Sequence, residues 1–190
     1  MNIVLASASP RRKELMEMLK VPNLKIVPAV GKEIPPEHAG PEELVKTLSA
    51  AKAREVAERC GAEDLVIAAD TIVWVDGHAF GKPRDAEEAA AMLRRLSGDV
   101  HEVYTGVTVL RGGKSDSQCE RSLVRFRTLE EDEIARYIAC GEPMDKAGAY
   151  GAQGRGALFV ERIEGDFFNV MGLPLCRLGR MLKEQGVSIL

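Results

Sequence analysis

No apolar run in this 190-residue chain approaches the ~20 residues that a membrane-spanning helix needs, so the sequence reads as that of a soluble protein. A basic excess is missing too. Lys and Arg number 26 against 29 Asp and Glu, a net charge of -3. A general nucleic-acid binder would carry surplus cations, although a small basic cleft in an acidic surface stays open. The four cysteines, Cys60, Cys119, Cys140 and Cys176, form no CxxC pair and no metal-ligand spacing. With no signal-peptide pattern, they are expected to be reduced thiols in a cytoplasmic protein. Internal repeats, low-complexity stretches and linkers are also absent, which favours one two-lobed unit over two independent domains. The remainder, 45% hydrophobic and 29% charged residues, is ordinary for a globular chain long enough to bury a sizeable core.

The opening stretch, "NIVLASASPRRKELMEML", organises the rest. Ile3, Val4 and Leu5 predict a buried strand, and Leu15, Met16 and Leu19 at spacings of three and four predict a helix after the break at Ser7-Ala8-Ser9-Pro10. Ser9 suits the N-cap and Pro10 the first helical position. Arg11 and Arg12 then put two cations at the positive end of the helix dipole, where acidic residues are favoured. A bound phosphate would account for them, because free N–H groups and arginine forks both match its oxygens. Two solvated arginines at a surface turn remain the plain alternative.

Farther along, Leu24 to Val30 predicts a second strand. Pro41 to Cys60 predicts a long amphipathic helix whose apolar arc, Leu44, Val45, Leu48, Ala51 and Val56, also contains Lys52. That lysine either snorkels outward or delivers an ammonium to an internal cleft. Leu65 to Ala69 reads as a strand covered on both faces, interrupted by Asp70 before Ile72 to Val75 resume. A carboxylate in so apolar a run must be paired, coordinated or at a cleft. Ligands in open α/β sheets gather at the carboxyl ends of strands, and Asp70 is expected at such an end; a structural cap is the other reading.

Asp85 and Glu88 have capping-box spacing for a helix that ends in Arg94 and Arg95, where cations belong. Lys82, between Gly81 and Pro83, is a second candidate phosphate contact. From Val100 to Thr128 the period becomes two, with a turn at Gly112-Gly113. This predicts a hairpin at the sheet edge or in a second lobe. Thr128 with Glu131 predicts a capping box for a helix stopped at Gly141. Glycines 148, 151, 154 and 156 then punctuate a loop bearing Asp145, Lys146, Tyr150, Gln153 and Arg155. Such loops let backbone amides approach a ligand, or serve plain turns. Gln153 can both donate and accept, which suits reading a base edge. A second hairpin is expected around Glu164-Gly165, and a closing helix from Pro174 to Gln185.

Six stretches in this order, "LASASPRRKEL", "AADTIV", "GKPRDAEEAAAMLRRLSG", "TGV", "DKAGAYGAQG" and "NVMGLPL", resemble the Maf family of nucleoside triphosphate pyrophosphatases, from Leu5 to about Leu175. The resemblance implies a single domain over residues 1–190, with two lobes around one cleft. Its fold would be α/β, an elongated mixed sheet flanked by helices with a deep central cleft, similar to the inosine triphosphate pyrophosphatases. It implies hydrolysis of a nucleoside triphosphate to monophosphate and pyrophosphate with a divalent metal, Mg2+ or Mn2+. "DKAGAYGAQG" resembles the subgroup acting on dTTP and UTP rather than the one acting on 7-methyl-GTP. Matched to the family's motifs, Asp70 is the proton acceptor. Arg11, Thr71 and Gln153 set base preference, and Ser7, Arg12, Lys52 and Lys82 match other cleft positions. Many members carry an acidic pair after the second strand, often assigned to the metal. Gly31-Lys32-Glu33 leaves only Glu33 beside Asp70 for that role. The expected partner is the nucleotide substrate, without nucleic acid or membrane, and a homodimer is left open. The competing function is a nucleotide-binding regulator of cell division that holds a triphosphate without cleaving it.

Overall fold

A computed structural model describes residues 1–189. The chain forms an α/β fold around a mixed seven-stranded sheet, ordered β2-β1-β3-β5-β6-β7, with β4 added on β3. No helix among the described residues is long and apolar enough to cross a membrane. Contacts divide the chain into two compact units. The first comprises Met1–Asp70, Thr105–Glu120 and Gly172–Leu190; the second comprises Thr71–Tyr104 and Arg121–Met171.

In the first unit, β1 (Ile3–Leu5) is wholly buried and pairs in parallel with β2 (Leu24–Ile26) on one side and with the start of β3 (Leu65–Val75) on the other. That is why three consecutive apolar residues were needed there. The second strand is shorter than the expected Leu24 to Val30. Its ladder ends with β1 at Leu5, after which Val27 N–H donates a last bond to the Leu5 carbonyl and Pro28 has no N–H to continue. Helix α1 spans Pro10–Met18 and α2 spans Pro41–Ala57. The expected end of α2 at Cys60 falls one turn later, where Arg59 and Cys60 donate to the carbonyls three residues back and tighten the chain out of the helix. Val4, Ala6, Ala53, Val56, Val66 and Ala68 make the core between sheet and helix. At Gly106, in β5 (Val100–Arg111), a Cβ would fall on the Val45 carbonyl of α2, so strand and helix meet backbone to backbone.

The second unit holds β4 (His78–Phe80), antiparallel to β3, and α3 (Ala86–Leu96). Asp85 caps α3 by accepting from Glu88 N–H at 2.8 Å, but Glu88 returns its carboxylate to Arg84 instead of closing a box. Strands β5 and β6 (Lys114–Phe126) turn at Gly112-Gly113 and lie inside the sheet, not at its edge. The cap of α4 (Glu131–Ala139) is Glu130 with Glu133, displaced from the expected Thr128 with Glu131. Leu129 is held by its N–H to Ser97 Oγ at 2.7 Å, which keeps residue 129 out of the helix. The expected hairpin at Glu164-Gly165 does not form. β7 (Val160–Glu164) returns to β6, and Gly165, at φ 114°, leads into α5 (Phe167–Met171), whose Phe168 N–H is capped by Asp166. Helix α6 (Leu175–Glu184) belongs to the first unit.

The few aromatic rings gather in the second unit. Phe126 packs edge-on against Tyr150 at 4.7 Å and against His101 at 5.0 Å between centroids. His101 is buried, its Nε2 is 2.8 Å from the Tyr150 hydroxyl, and burial pushes its pKa down to about 4. Because the unfolded imidazole titrates near 6.5, its neutral form supports the fold above that pH. The support is lost as pH falls toward 4, about 3 kcal/mol in all at ~1.4 kcal/mol per unit. Unfolding temperature is therefore expected to drop between pH 6.5 and 4. His101→Gln, which keeps a partner for Tyr150 but does not titrate, is expected to flatten that part of the profile. An unchanged slope would assign the acid sensitivity elsewhere.

Candidate active site

The turn from β1 into α1 is built by Ser7. It is buried, and its Oγ accepts from Ser9 N–H at 3.2 Å and from Arg12 Nη1 at 3.3 Å. Ser9 occupies the N-cap as expected, yet its own side chain makes no capping bond. Arg11 and Arg12 do fall in the first helical turn, and no acidic residue accompanies them there. Arg12 is half-buried and oriented by a second bond, from Nε to the Gly172 carbonyl at 2.8 Å. Burial draws its guanidinium below the ordinary value and Asp70 is the strongest counterweight, with Arg11 and Glu33 also felt. A guanidinium stays protonated under such pressure, so a fixed positive charge stands near Asp70.

Asp70 is not at the end of a strand. β3 runs unbroken from Leu65 to Val75, and Asp70 lies just beyond the point where β1, paired through Leu5↔Ile67, has ended. On that side β1 has already given way to the turn into α1. Asp70 is buried, its side chain 10% exposed, and its carboxylate meets Lys52, projecting from α2, with Nζ 2.5 Å from Oδ1. The same ammonium lies 2.8 Å from Glu33 Oε1. This pairing answers the cost of a carboxylate in an apolar strand. It also decides between the two fates of Lys52: the side chain turns inward, 17% exposed. Glu33 is more open at 55%.

Two carboxylates thus converge on one point where positive charge is favoured. Asp70 and Glu33 fit the sparse protein share of a Mg2+ or Mn2+ site, whose remaining ligands are substrate phosphates and water. Among the described residues there is no group of three or more His, Cys, Asp or Glu that could hold a metal without such help.

The remaining sequence candidates belong to the second unit. Thr71 follows Asp70 in β3 and is half-buried. Lys82 is exposed in the loop after β4, and Gln153 is exposed in the glycine-rich loop. Gly148 N–H donates to the Gly81 carbonyl at 3.0 Å, which ties the Lys82 loop to that glycine-rich segment. Gly148 itself sits at φ 67°, where a Cβ would press on Val73.

Sequence reasoning passed over the anchor of the glycine-rich loop. Glu142, just after α4, accepts at Oε1 from the Tyr137 hydroxyl (2.9 Å) and Gly156 N–H (3.2 Å), and at Oε2 from Arg155 N–H (3.0 Å). Tyr137 oxygen in turn accepts from Gly151 N–H at 3.2 Å. Burial alone would raise the Glu142 carboxyl, but these donors outweigh it and hold it below the usual carboxylate range. Lys146 Nζ braces the same turn through the Glu142 carbonyl (2.7 Å) and Asp145 (2.6 Å). The one available signal was Tyr137 and Glu142 at a spacing of five across a helix stop.

The chain is similar to known proteins over nearly its whole length. A dTTP/UTP pyrophosphatase of Methanosarcina barkeri is 49% identical over 190 residues, covering 99% of this chain and 96% of its own. A dTTP/UTP pyrophosphatase of Pelotomaculum thermopropionicum is 49% identical over 192 residues, covering 100% and 99%. A solved HAM1 protein of Coxiella burnetii shares the fold at a TM-score of 0.54 and 16% identity, over 97% of this chain and 99% of its own. The model of the Maf-like proteins matches residues 2–185, and the chain belongs to that family.

Proposed function

We propose that this protein hydrolyses dTTP and UTP to the nucleoside monophosphate and pyrophosphate. The names of its full-length relatives support the substrate. The observation that carries the chemistry is the Asp70–Lys52–Glu33 cluster, a buried carboxylate held by one ammonium within the field of Arg12. Cleaving the bond between α and β phosphates needs a water that loses a proton and a leaving pyrophosphate whose charge is neutralised. Asp70 takes the proton as the new P–O bond forms and the bridging P–O bond breaks. Lys52 holds that carboxylate in place through its ammonium, and Arg11 and Arg12 supply fixed charge where negative charge develops. Ser7 orients Arg12 through its hydroxyl. A divalent cation, held by Asp70 and Glu33, would neutralise phosphate oxygens and acidify the attacking water. The assignment of base selection to Arg11, Thr71 and Gln153, and of a phosphate contact to Lys82, rests on the family motifs. All four cysteines are free thiols, which suits the cytoplasm, where the substrates are made.

The direct test is incubation with UTP, dTTP, CTP and 7-methyl-GTP plus Mg2+ or Mn2+, followed by separation of the phosphate products. Monophosphate and pyrophosphate are expected from UTP and dTTP in preference to the others. Tight binding without hydrolysis of any of them would overturn the reading in favour of a nucleotide-binding regulator. Preference for 7-methyl-GTP would move the protein to a different substrate class.

A further inference from the structure

We propose that Glu142 is the positioning residue that fixes the loop carrying Gln153, and so sets the preference for the nucleobase; this rests on the reading of Gln153 as a base contact. Gln153 is bracketed on both sides by backbone N–H groups that all end on one pair of side chains. Gly151 N–H donates to Tyr137 oxygen; Arg155 and Gly156 N–H donate to the two oxygens of Glu142; and Tyr137 donates its own proton to Glu142. The glycines make this closeness possible. A Cβ at Gly156 would lie 2.5 Å from the Gly151 carbonyl and 2.6 Å from the Tyr137 hydroxyl. At Gly154, which sits at φ 97°, it would lie 2.9 Å from Glu142 Oε2. The loop is therefore drawn tight around a carboxylate while Gln153 stays exposed. A side chain that discriminates between ligands needs a backbone held this firmly, because small displacements erase hydrogen-bond selectivity.

Glu142 touches neither the Asp70 cluster nor any residue assigned to the phosphates, so its loss is expected to act on binding more than on turnover. In Glu142→Gln one acceptor oxygen becomes an NH2 donor, which in either amide orientation faces a backbone N–H, that of Arg155 or that of Gly156. KM for UTP and dTTP is expected to rise about tenfold with kcat held within about threefold, as for loss of a charged hydrogen-bond acceptor. Preference over purine triphosphates should narrow, as is also expected of Gln153→Ala. The double variant should be no worse than Gln153→Ala alone, because both changes remove one contact. Amide exchange at Gly151, Arg155 and Gly156 should accelerate in the same sample. Tyr137→Phe, which keeps the buried ring and removes only the hydroxyl, is expected to shift KM in the same direction and carries the test if Glu142→Gln does not fold.

An altered profile in Gln153→Ala, with an unaltered one in folded Glu142→Gln and Tyr137→Phe, overturns the proposal. So does unchanged amide protection at the three positions. If Gln153→Ala leaves the profile untouched while protection in Glu142→Gln falls, the base-contact reading fails. Glu142 then stands as the anchor of the loop, without a role in base preference.

Discussion

Asp70→Asn is expected to lower the turnover of UTP by about 100-fold or more, on the scale of losing a general base, while the protein stays folded. The substitution keeps the shape of a side chain that is 10% exposed and keeps an oxygen to accept from Lys52. It removes the negative charge that Lys52 and Arg12 both face. Lys52 retains Glu33 at 2.8 Å, so the ammonium is not stranded. Pyrophosphate release and thermal unfolding, read on one preparation, separate the chemical loss from a folding defect. Near-normal release by a folded variant would remove Asp70 from the mechanism. Titrating Mn2+ into the nucleotide-free variant then divides its two possible duties: weakened metal binding marks a ligand, and unchanged binding marks a proton acceptor.

Gly106→Ala is expected to produce the largest loss of stability from a single added methyl group. Its Cβ would land on the Val45 carbonyl, with Lys46 N only 2.8 Å away, and both are main-chain atoms that cannot swing aside. Overpacking costs typically 1–3 kcal/mol and more where backbone must move, so a loss of about 3 kcal/mol or above is expected. For a protein of this size that is a fall of roughly 6–12 °C in unfolding temperature. The lever also reaches the chemistry. α2 is the element displaced, and α2 carries Lys52, so the folded fraction should show reduced turnover as well. An unfolding temperature within a degree or two of the unsubstituted protein would show that helix and strand are not in backbone contact here.

What could be read in the letters and what could not follows from how far away the deciding partner lies. β1 and the apolar half of β3 were legible because burial on both faces demands unbroken hydrophobic runs, and α2 because apolar residues recur at helical spacing along one arc. Asp70 was legible for the opposite reason, as a charge in a place that charges avoid. Whether Lys52 turned outward or inward was not, since the carboxylates that attract it are 18 and 19 residues away in opposite directions along the chain. β2 stopped early because its neighbour did, a fact that Leu24 to Val30 do not contain. The turn at Glu164-Gly165 looks the same whether the next residues pair back or coil into a helix. β6 had already taken the pairing edge of β7. Glu142 was invisible because a glutamate after a helix-stopping glycine usually points to water, and only the folded loop supplies its donors.

Arg12 and Gly172, joined by a hydrogen bond, are 160 positions apart, and the unit that contains them is assembled from the first, a middle and the last part of the chain. A ribosome making this protein from its amino end therefore exposes the arginine pair long before the carbonyl that steadies Arg12 has been synthesised. Nascent chains halted short of Gly172 should be unable to process nucleotides, whatever helices they have already formed. Competence is expected late, with the emergence of α6, and fragments from interrupted translation are expected to be silent rather than partially active.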